Sequence, residues 1–183
     1  MAGTSSRLSQ RVIVSEAAVR GWAIEALDVK KAFLKGVSYA ELAEATGEDE
    51  REVNFELSPD AVQILRQIPG YEDFDAALEV LHMEKPGTGC KDAPRCWSLQ
   101  LAKATNAEYQ AVGTLYDDEF VTRHIGGELA LLATKHVDDL KVAGSREERL
   151  RFRACLERHF GKGELDITEG TFTCCGTRHT PLP

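Results

Sequence analysis

Apolar residues in the first third of the chain predict one mostly buried strand over residues 22–29. Every second position from 22 to 26 is apolar, which places one face of a strand in the core. Two further apolar residues flank Asp28 near the end of this run. A helix is expected before the strand, over residues 15–20, and a glycine separates the two elements.

The middle of the chain predicts two helices and a short strand. Residues 40–52 are acidic and helix-prone around a glycine, and such a charge run is typical of a solvated face. Residues 53–57 alternate apolar and polar positions, which predicts a short strand. A helix follows over residues 58–65, with Ser58 as its N-cap and Pro59 at its first position.

Two longer helices are predicted in the second half. Trp97 and the apolar residues one and two turns after it recur at helical spacing within residues 92–104, so they should face the core. Ser145 and Glu148 match a capping box at the start of a helix that runs to about residue 160.

Strands surround these helices. Residues 120–125 and 129–135 predict a hairpin, because the glycine pair between them favours a tight turn. A second turn at residues 137–139 leads into a strand over residues 140–143. Residues 164–167 and 171–175 predict a closing hairpin. The resulting fold class is α+β in one domain, with an antiparallel sheet backed by helices.

Charge bears on the class of partner. The chain has 183 residues and a net charge of −8. A protein that grips nucleic acid by itself usually carries a basic face that releases counterions. Either the basic residues gather on one face, or further segments of a longer protein supply the grip, or the chain is an acidic protein without a nucleic-acid partner.

Cysteine usage and hydropathy bear on the compartment. The five cysteines are an odd number and form no CxxC motif, which is typical of a reducing compartment. Cys174, Cys175 and His179 lie close together, but a zinc site would need a fourth ligand, so a terminal strand is the simpler interpretation. No leader segment and no run of about 20 apolar residues is evident, so we expect a soluble, intracellular protein without a membrane partner.

The adjacent carboxylates of Asp138 and Asp139 stand in a turn between two apolar strands. Adjacent carboxylates repel each other unless a cation lies between them. Mg²⁺ prefers carboxylate oxygens and takes further ligands from substrate phosphates. Asp28, at the end of another strand, is the natural third carboxylate of a two-metal site. The alternative is an ordinary turn, since Asp is favoured in turns for local hydrogen bonding.

Three ordered motifs resemble those of copia-type retrotransposon reverse transcriptases. Residues 27–36, LDVKKAFLKG, resemble the family's LDVxxAFLxG motif. Residues 91–97, KDAPRCW, resemble its KQAPRxW segment, and residues 136–144, HVDDLKVAG, resemble YVDDLxxAG. The resemblance covers roughly residues 7–179 and is specific because the three motifs occur in the family's order.

The resemblance implies a polymerase palm with a ferredoxin-like core, partial fingers and no complete thumb over residues 1–183. It implies that Asp28, Asp138 and Asp139 bind two Mg²⁺ ions, for which Mn²⁺ can substitute. The implied reaction is RNA-directed DNA synthesis, with deoxynucleotides added to a primer on an RNA or DNA template. Missing polyprotein segments, namely thumb, RNase H and integrase, would be partners.

The resemblance also implies nucleotide-binding residues. Phe33 matches the aromatic gate that excludes a ribose 2′-hydroxyl, and Val29 belongs to the same motif. Lys91 and Arg95 match the palm helix near the primer-template or the incoming nucleotide. Ordinary core packing is the alternative for Phe33, and helix-terminal surface charge is the alternative for Lys91 and Arg95.

Departures from the family pattern leave other interpretations open. His136 stands where the family has Tyr, and Asp92 stands where it often has Gln. A catalytically inactive remnant that serves as a binding or assembly module, or has no function, is therefore one alternative. An acidic metal-binding or scaffold protein that meets the motifs by chance is another.

Overall fold

The computed structural model describes residues 4–174 and 176–180, which form ten strands and five α-helices. The strands are β1 Ile24–Val29, β2 Asn54–Phe55, β3 Leu81–His82, β4 Val112–Thr114, β5 Asp117–Ile125, β6 Glu128–His136, β7 Asp139–Gly144, β8 Leu165–Glu169, β9 Phe172–Cys174 and β10 Thr177–His179. The helices are α1 Arg7–Arg20, α2 Tyr39–Thr46, α3 Pro59–Leu65, α4 Ala93–Ala102 and α5 Arg146–Phe160. A 3₁₀ helix covers Ala32–Lys35, and a π-helix covers Lys103–Glu108.

The centre of the fold is an antiparallel sheet of six strands in the order β4-β5-β6-β7-β1-β8. Tight turns connect β5 to β6 and β6 to β7, so these three strands form a meander. β1 enters between β7 and β8 and pairs with both. The predicted α+β class, with an antiparallel sheet and helices, is confirmed at this level.

Helices cover the two faces of the sheet unequally. The larger core lies on the face under α4 and α5, where Leu27, Leu140 and Val142 pack against Trp97 and Phe152. The other face carries a smaller core under α1. Its buried members are Ile13, Ala17, Phe120, Leu132 and Ala143. Since side chains of a strand alternate between faces, each central strand contributes to both cores.

Helix boundaries follow the predicted capping chemistry in part. Ser58 accepts from the Ala61 N–H, and Pro59 occupies the first turn of α3, as predicted. Ser145 accepts from the Glu148 N–H at 3.3 Å. The second half of the predicted capping box is wrong, because the Glu148 carboxylate instead accepts from the Tyr109 hydroxyl at 2.7 Å in the core.

Other boundaries differ from the sequence-based expectations. α1 begins at Arg7 rather than near residue 15, because Ser6 caps it by accepting from the Ser9 N–H. The predicted hairpin of residues 164–167 with 171–175 is wrong. β8 pairs with β1 in the main sheet, and β9 pairs with β10. Cys175 lies outside the described residues, so the cluster of Cys174, Cys175 and His179 stays untested.

Within the described residues, no helix has both the length and the apolar character needed to cross a membrane.

Candidate active site at the end of the central sheet

Strand register places three carboxylates side by side at one end of the sheet. Asp28 on β1 lies directly opposite Asp139 on β7 and, on its other side, directly opposite Asp166 on β8. Directly opposed residues in an antiparallel pair have Cβ atoms about 4.5–5.5 Å apart. Asp138 precedes Asp139 in the β6–β7 turn and is exposed. The structure therefore brings the predicted Asp28 and Asp139 together, with the predicted Asp138 next to Asp139 in the turn.

Asp28, Asp139 and Asp166 share the face of the sheet that carries α1. Leu27 and Val29 enter the core under α4 and α5, so Asp28 between them projects from the opposite face. Asp139 likewise alternates with Leu140. α1 packs on this face at the far end of the strands, against Leu132 and Ala143. The end that carries the carboxylates is left half-exposed.

The turn between β6 and β7 is held in a strained conformation. His136 and Asp139 are register partners, so Val137 and Asp138 form a two-residue turn. Val137 has φ 57°, which a β-branched residue rarely adopts. Trp97, which is fully buried, donates its indole N–H to the Val137 carbonyl at 2.5 Å. A core residue of α4 thereby positions the turn that carries Asp138.

The carboxylates destabilise one another's charges. Burial raises the pKa of Asp28, and the neighbouring charges of Asp138, Asp139 and Asp166 raise it further. Burial and Asp138 also raise the pKa of Asp139. A divalent cation would relieve this repulsion, so the donor set suits Mg²⁺ chemically. In the described part of the chain, however, no three His, Cys, Asp or Glu side chains are arranged so that they could hold a metal ion.

Asp166 is a site residue that the sequence patterns missed. It forms an ion pair with Lys30 at 3.0 Å, and this hydrogen bond raises the pKa of Lys30. Its strand, β8, was expected to pair with the following segment rather than with β1. No signal in the sequence marks Asp166, because only the long-range β1–β8 register brings it beside Asp28.

Two predicted nucleotide-binding residues lie just after Asp28 in the chain. Val29 is 1% exposed and packs in the core, so its side chain points away from the carboxylates. Phe33 lies in the 3₁₀ helix and is half-buried against the same core. Gly36 ends this segment and touches α4 so closely that a Cβ there would lie 3.0 Å from Cys96 and Trp97.

The two predicted basic residues lie at the start of α4. Lys91 is exposed. Arg95 is half-buried and forms a bidentate ion pair with Glu48, with the shorter contact at 2.9 Å. Asp92, the departure from the family motif, forms an ion pair with Arg51. Arg95 and Asp92 thus each form an ion pair with a neighbouring side chain. The nucleotide-binding roles of Lys91 and Arg95 stay predictions.

Comparisons of the chain with protein-family models, with curated proteins and with solved structures found no match.

Proposed function

We propose that the chain is a reverse transcriptase palm of the copia type, which carries out RNA-directed DNA synthesis from deoxynucleotides. The observation that carries this proposal is the direct opposition of Asp28 and Asp139 across β1 and β7, with Asp138 in the adjoining turn. The three motifs that suggested the family are distant in sequence. Two of them supply the opposed carboxylates, and the third supplies the tryptophan that holds their turn.

Asp28, Asp138 and Asp139 would hold the metal ions in this proposal. Bound Mg²⁺ would lower the pKa of the primer 3′-hydroxyl and neutralise charge on the reacting phosphate and on the departing pyrophosphate. The carboxylates supply the negative potential that attracts the cation and orient its coordination. Burial first, and then the neighbouring carboxylates, raise the pKa values of Asp28 and Asp139, and a bound cation would favour their charged forms. Asp166 adds a fourth carboxylate to the same edge.

Phe33 would select the sugar. Its ring is half-buried against the main core, so packing limits its movement. A fixed ring beside the incoming nucleotide would collide with a 2′-hydroxyl and leave room for a 2′-hydrogen. The short 3₁₀ helix that carries Phe33 follows β1 directly, which keeps the ring close to Asp28 along the chain.

The template, the primer and further polyprotein segments are the partners that this function needs. The net charge of −8 means that the chain as a whole repels a phosphate backbone. A thumb or another segment with a basic surface would supply the missing attraction. RNase H and integrase segments would complete the element from which such a palm derives.

Primer extension on an RNA template with Mg²⁺ and deoxynucleotides tests the proposal. We expect the variant Asp138→Asn with Asp139→Asn to lose at least about a hundredfold of the wild-type rate, since it removes charge from the reacting centre. The matched control is Asp49→Asn with Glu50→Gln, which neutralises another adjacent acidic pair, exposed and far from β7 in the chain. This control should keep the wild-type rate.

Equal extension by the wild type and the Asp138–Asp139 variant would contradict the proposal. A wild type that binds Mn²⁺ through these carboxylates but extends no primer would instead favour the inactive remnant.

A further inference from the structure

A cavity of about 940 Å³ opens on the carboxylate-bearing face of the sheet, beside the first half of α1. We call it the α1 cavity. Its lining includes six basic or imidazole side chains from four elements: Arg7 and Arg11 of α1, His136 of β6, Lys141 of β7, and Arg178 and His179 of β10. Elements from both ends of the chain therefore build one concave surface.

The charge of the α1 cavity is opposite to that of the whole chain. The sequence has 30 acidic against 22 basic residues, yet no Asp or Glu is among the described residues that line this cavity. Arg7, Arg11 and Arg178 are exposed. No carboxylate of the described residues forms an ion pair with any of these three arginines. Their charges are available to an anion.

Buried imidazole nitrogens supply a second, independent indication of a ligand. His179 is only 9% exposed, and its Nε2 is buried without a hydrogen-bond partner in the described structure. His136 Nδ1 is also buried without a hydrogen-bond partner in the described structure. Both rings line the α1 cavity. A buried polar atom without a partner destabilises the fold, so a polar ligand group beside these rings would stabilise the protein.

His179 offers the hydrogen bond that a bound oxyanion needs. Burial, and then the charge of Lys141, lowers the pKa of His179 below its usual value. Packing holds the ring, whose centroid lies 5.0 Å from that of Phe172. Lys141 is fully buried and hydrogen-bonds to Gln10 of α1. The Lys141 and His179 side chains are therefore held in place, and the three exposed arginines also line the α1 cavity.

Two of the arginines come from consecutive turns of α1. Arg7 and Arg11 are one helical turn apart and lie on the same side of α1. Guanidinium groups bind phosphate oxygens in a bidentate manner.

We propose that the α1 cavity is a phosphate-binding site, for a phosphate carried either on a small molecule or on a nucleic-acid strand. Arg7, Arg11 and Arg178 would bind the phosphate oxygens, and His179 would donate a hydrogen bond to them. The volume is large enough for a nucleotide-sized ligand. This inference does not rest on the proposed polymerase function, because Asp28, Asp138 and Asp139 do not line the cavity.

Direct binding in the presence of EDTA tests the site without any contribution from a metal. Calorimetry with pyrophosphate and fluorescence anisotropy with a labelled single-stranded oligonucleotide measure the two sources of phosphate. We expect Arg7→Ala with Arg11→Ala to weaken binding of the preferred probe at least about tenfold, since two charge-assisted contacts are lost. Arg178→Gln, at an exposed position of the short β10, should weaken it as well.

The matched control is Arg146→Ala with Arg158→Ala, which removes two exposed charges from α5 on the other side of the sheet. Its affinity should stay within about twofold of the wild type, as expected for charges distant from the ligand. Competition between the probes assigns the source. Displacement of the oligonucleotide by pyrophosphate, or a clear preference for either probe, supports the site. No binding of either probe at millimolar concentration, or equal losses in the α1 and α5 variants, overturns it.

Discussion

Val137, in the turn that presents Asp138, is a β-branched residue in a strained conformation. Its φ of 57° belongs to the left-handed region, where a β-branched side chain crowds its own backbone. The hydrogen bond from Trp97 to the Val137 carbonyl holds this geometry. Strain of this kind is found where the surrounding structure imposes a conformation that a site needs.

Replacing Val137 with Asn should stabilise the protein. Asn tolerates the left-handed region, so Val137→Asn should raise the free energy of unfolding by about 1 kcal/mol, measured by urea denaturation. The control is Val112→Asn in β4, an exposed residue without positive φ, where the same replacement should not stabilise. A Val137→Asn variant less stable than the wild type would contradict the strain argument.

The charge of Asp28 should make stability depend on pH in a defined direction. Its folded pKa is raised above the ordinary value of 3.8, so the native state holds the proton more tightly than the unfolded state. Stability is therefore greatest below pH 3.8 for this group and falls as pH rises through the folded pKa. At pH 7 the ionised carboxylate destabilises the metal-free protein.

Asp28→Asn should consequently raise the melting temperature at pH 7 and leave it nearly unchanged at pH 3.5, in EDTA. The variant removes a charge that is disfavoured first by burial and then by its like-charged neighbours. A relief of about 1 kcal/mol corresponds to about 2–4 °C for a chain of this size. Asp73→Asn, at an exposed position in a turn, should leave the melting temperature unchanged at both pH values. Equal shifts at both pH values would show that the effect is not the charge.

At the scale of elements, β1 carries buried ion pairs on one face and a residue of the candidate site on the other. Its face under α5 carries Glu25, which is fully buried and forms ion pairs with Arg149 and Arg153. Arg153 Nε donates to Glu25 at 2.9 Å. Its other face carries Asp28. The ion pairs fix α5 on the strand whose opposite face bears the candidate site.

Removing the buried carboxylate should weaken this attachment strongly. Glu25→Ala leaves two largely buried guanidinium groups without their main partner, and we expect a loss of about 3 kcal/mol in the free energy of unfolding. Glu169→Ala removes an exposed acid that contacts the same arginines, and it should lose less than about 1 kcal/mol. Urea denaturation measures both. Similar losses would mean that burial does not decide the strength of this network.

Elements governed by local rules were predicted well, and those governed by distant pairing were not. The β5–β6 hairpin and α3 depend on a glycine pair and on a Ser-Pro cap, which act within a few residues. The position of β8 depends on β1, which lies more than a hundred residues earlier in the chain. Glu148 could not be assigned from spacing, because Tyr109 competes for its carboxylate.

At the scale of the whole molecule, the face of the sheet that carries α1 has two parts. One part packs against α1, and the other carries the candidate binding sites. α1 covers one end of that face with Ile13 and Ala17 and leaves the other end to the carboxylates and the α1 cavity. An acidic edge and a basic cavity thus share one face of an acidic protein. A ligand that contains both a phosphate and a bound cation would complement both charges.

The metal binding that we propose should raise the stability of the whole fold. Mn²⁺ at about 100 times its dissociation constant should raise the melting temperature by roughly 5–10 °C, because it binds the folded state only. Asp28→Asn with Asp139→Asn should abolish this shift, and Asp73→Asn should retain it. The same shift in all three proteins would place the cation elsewhere.

The sequence by itself determined the class of the fold, most of the strands and helices, and the three carboxylates. These follow from apolar periodicity, from turn and cap residues, and from motifs, all of which act over short stretches of chain. Only the tertiary structure decided the facing of Asp28 with Asp139 and Asp166, the role of Trp97 in holding Val137, and the gathering of Arg7 with Arg178. These features depend on strand register and helix packing across the whole chain, which no local pattern specifies.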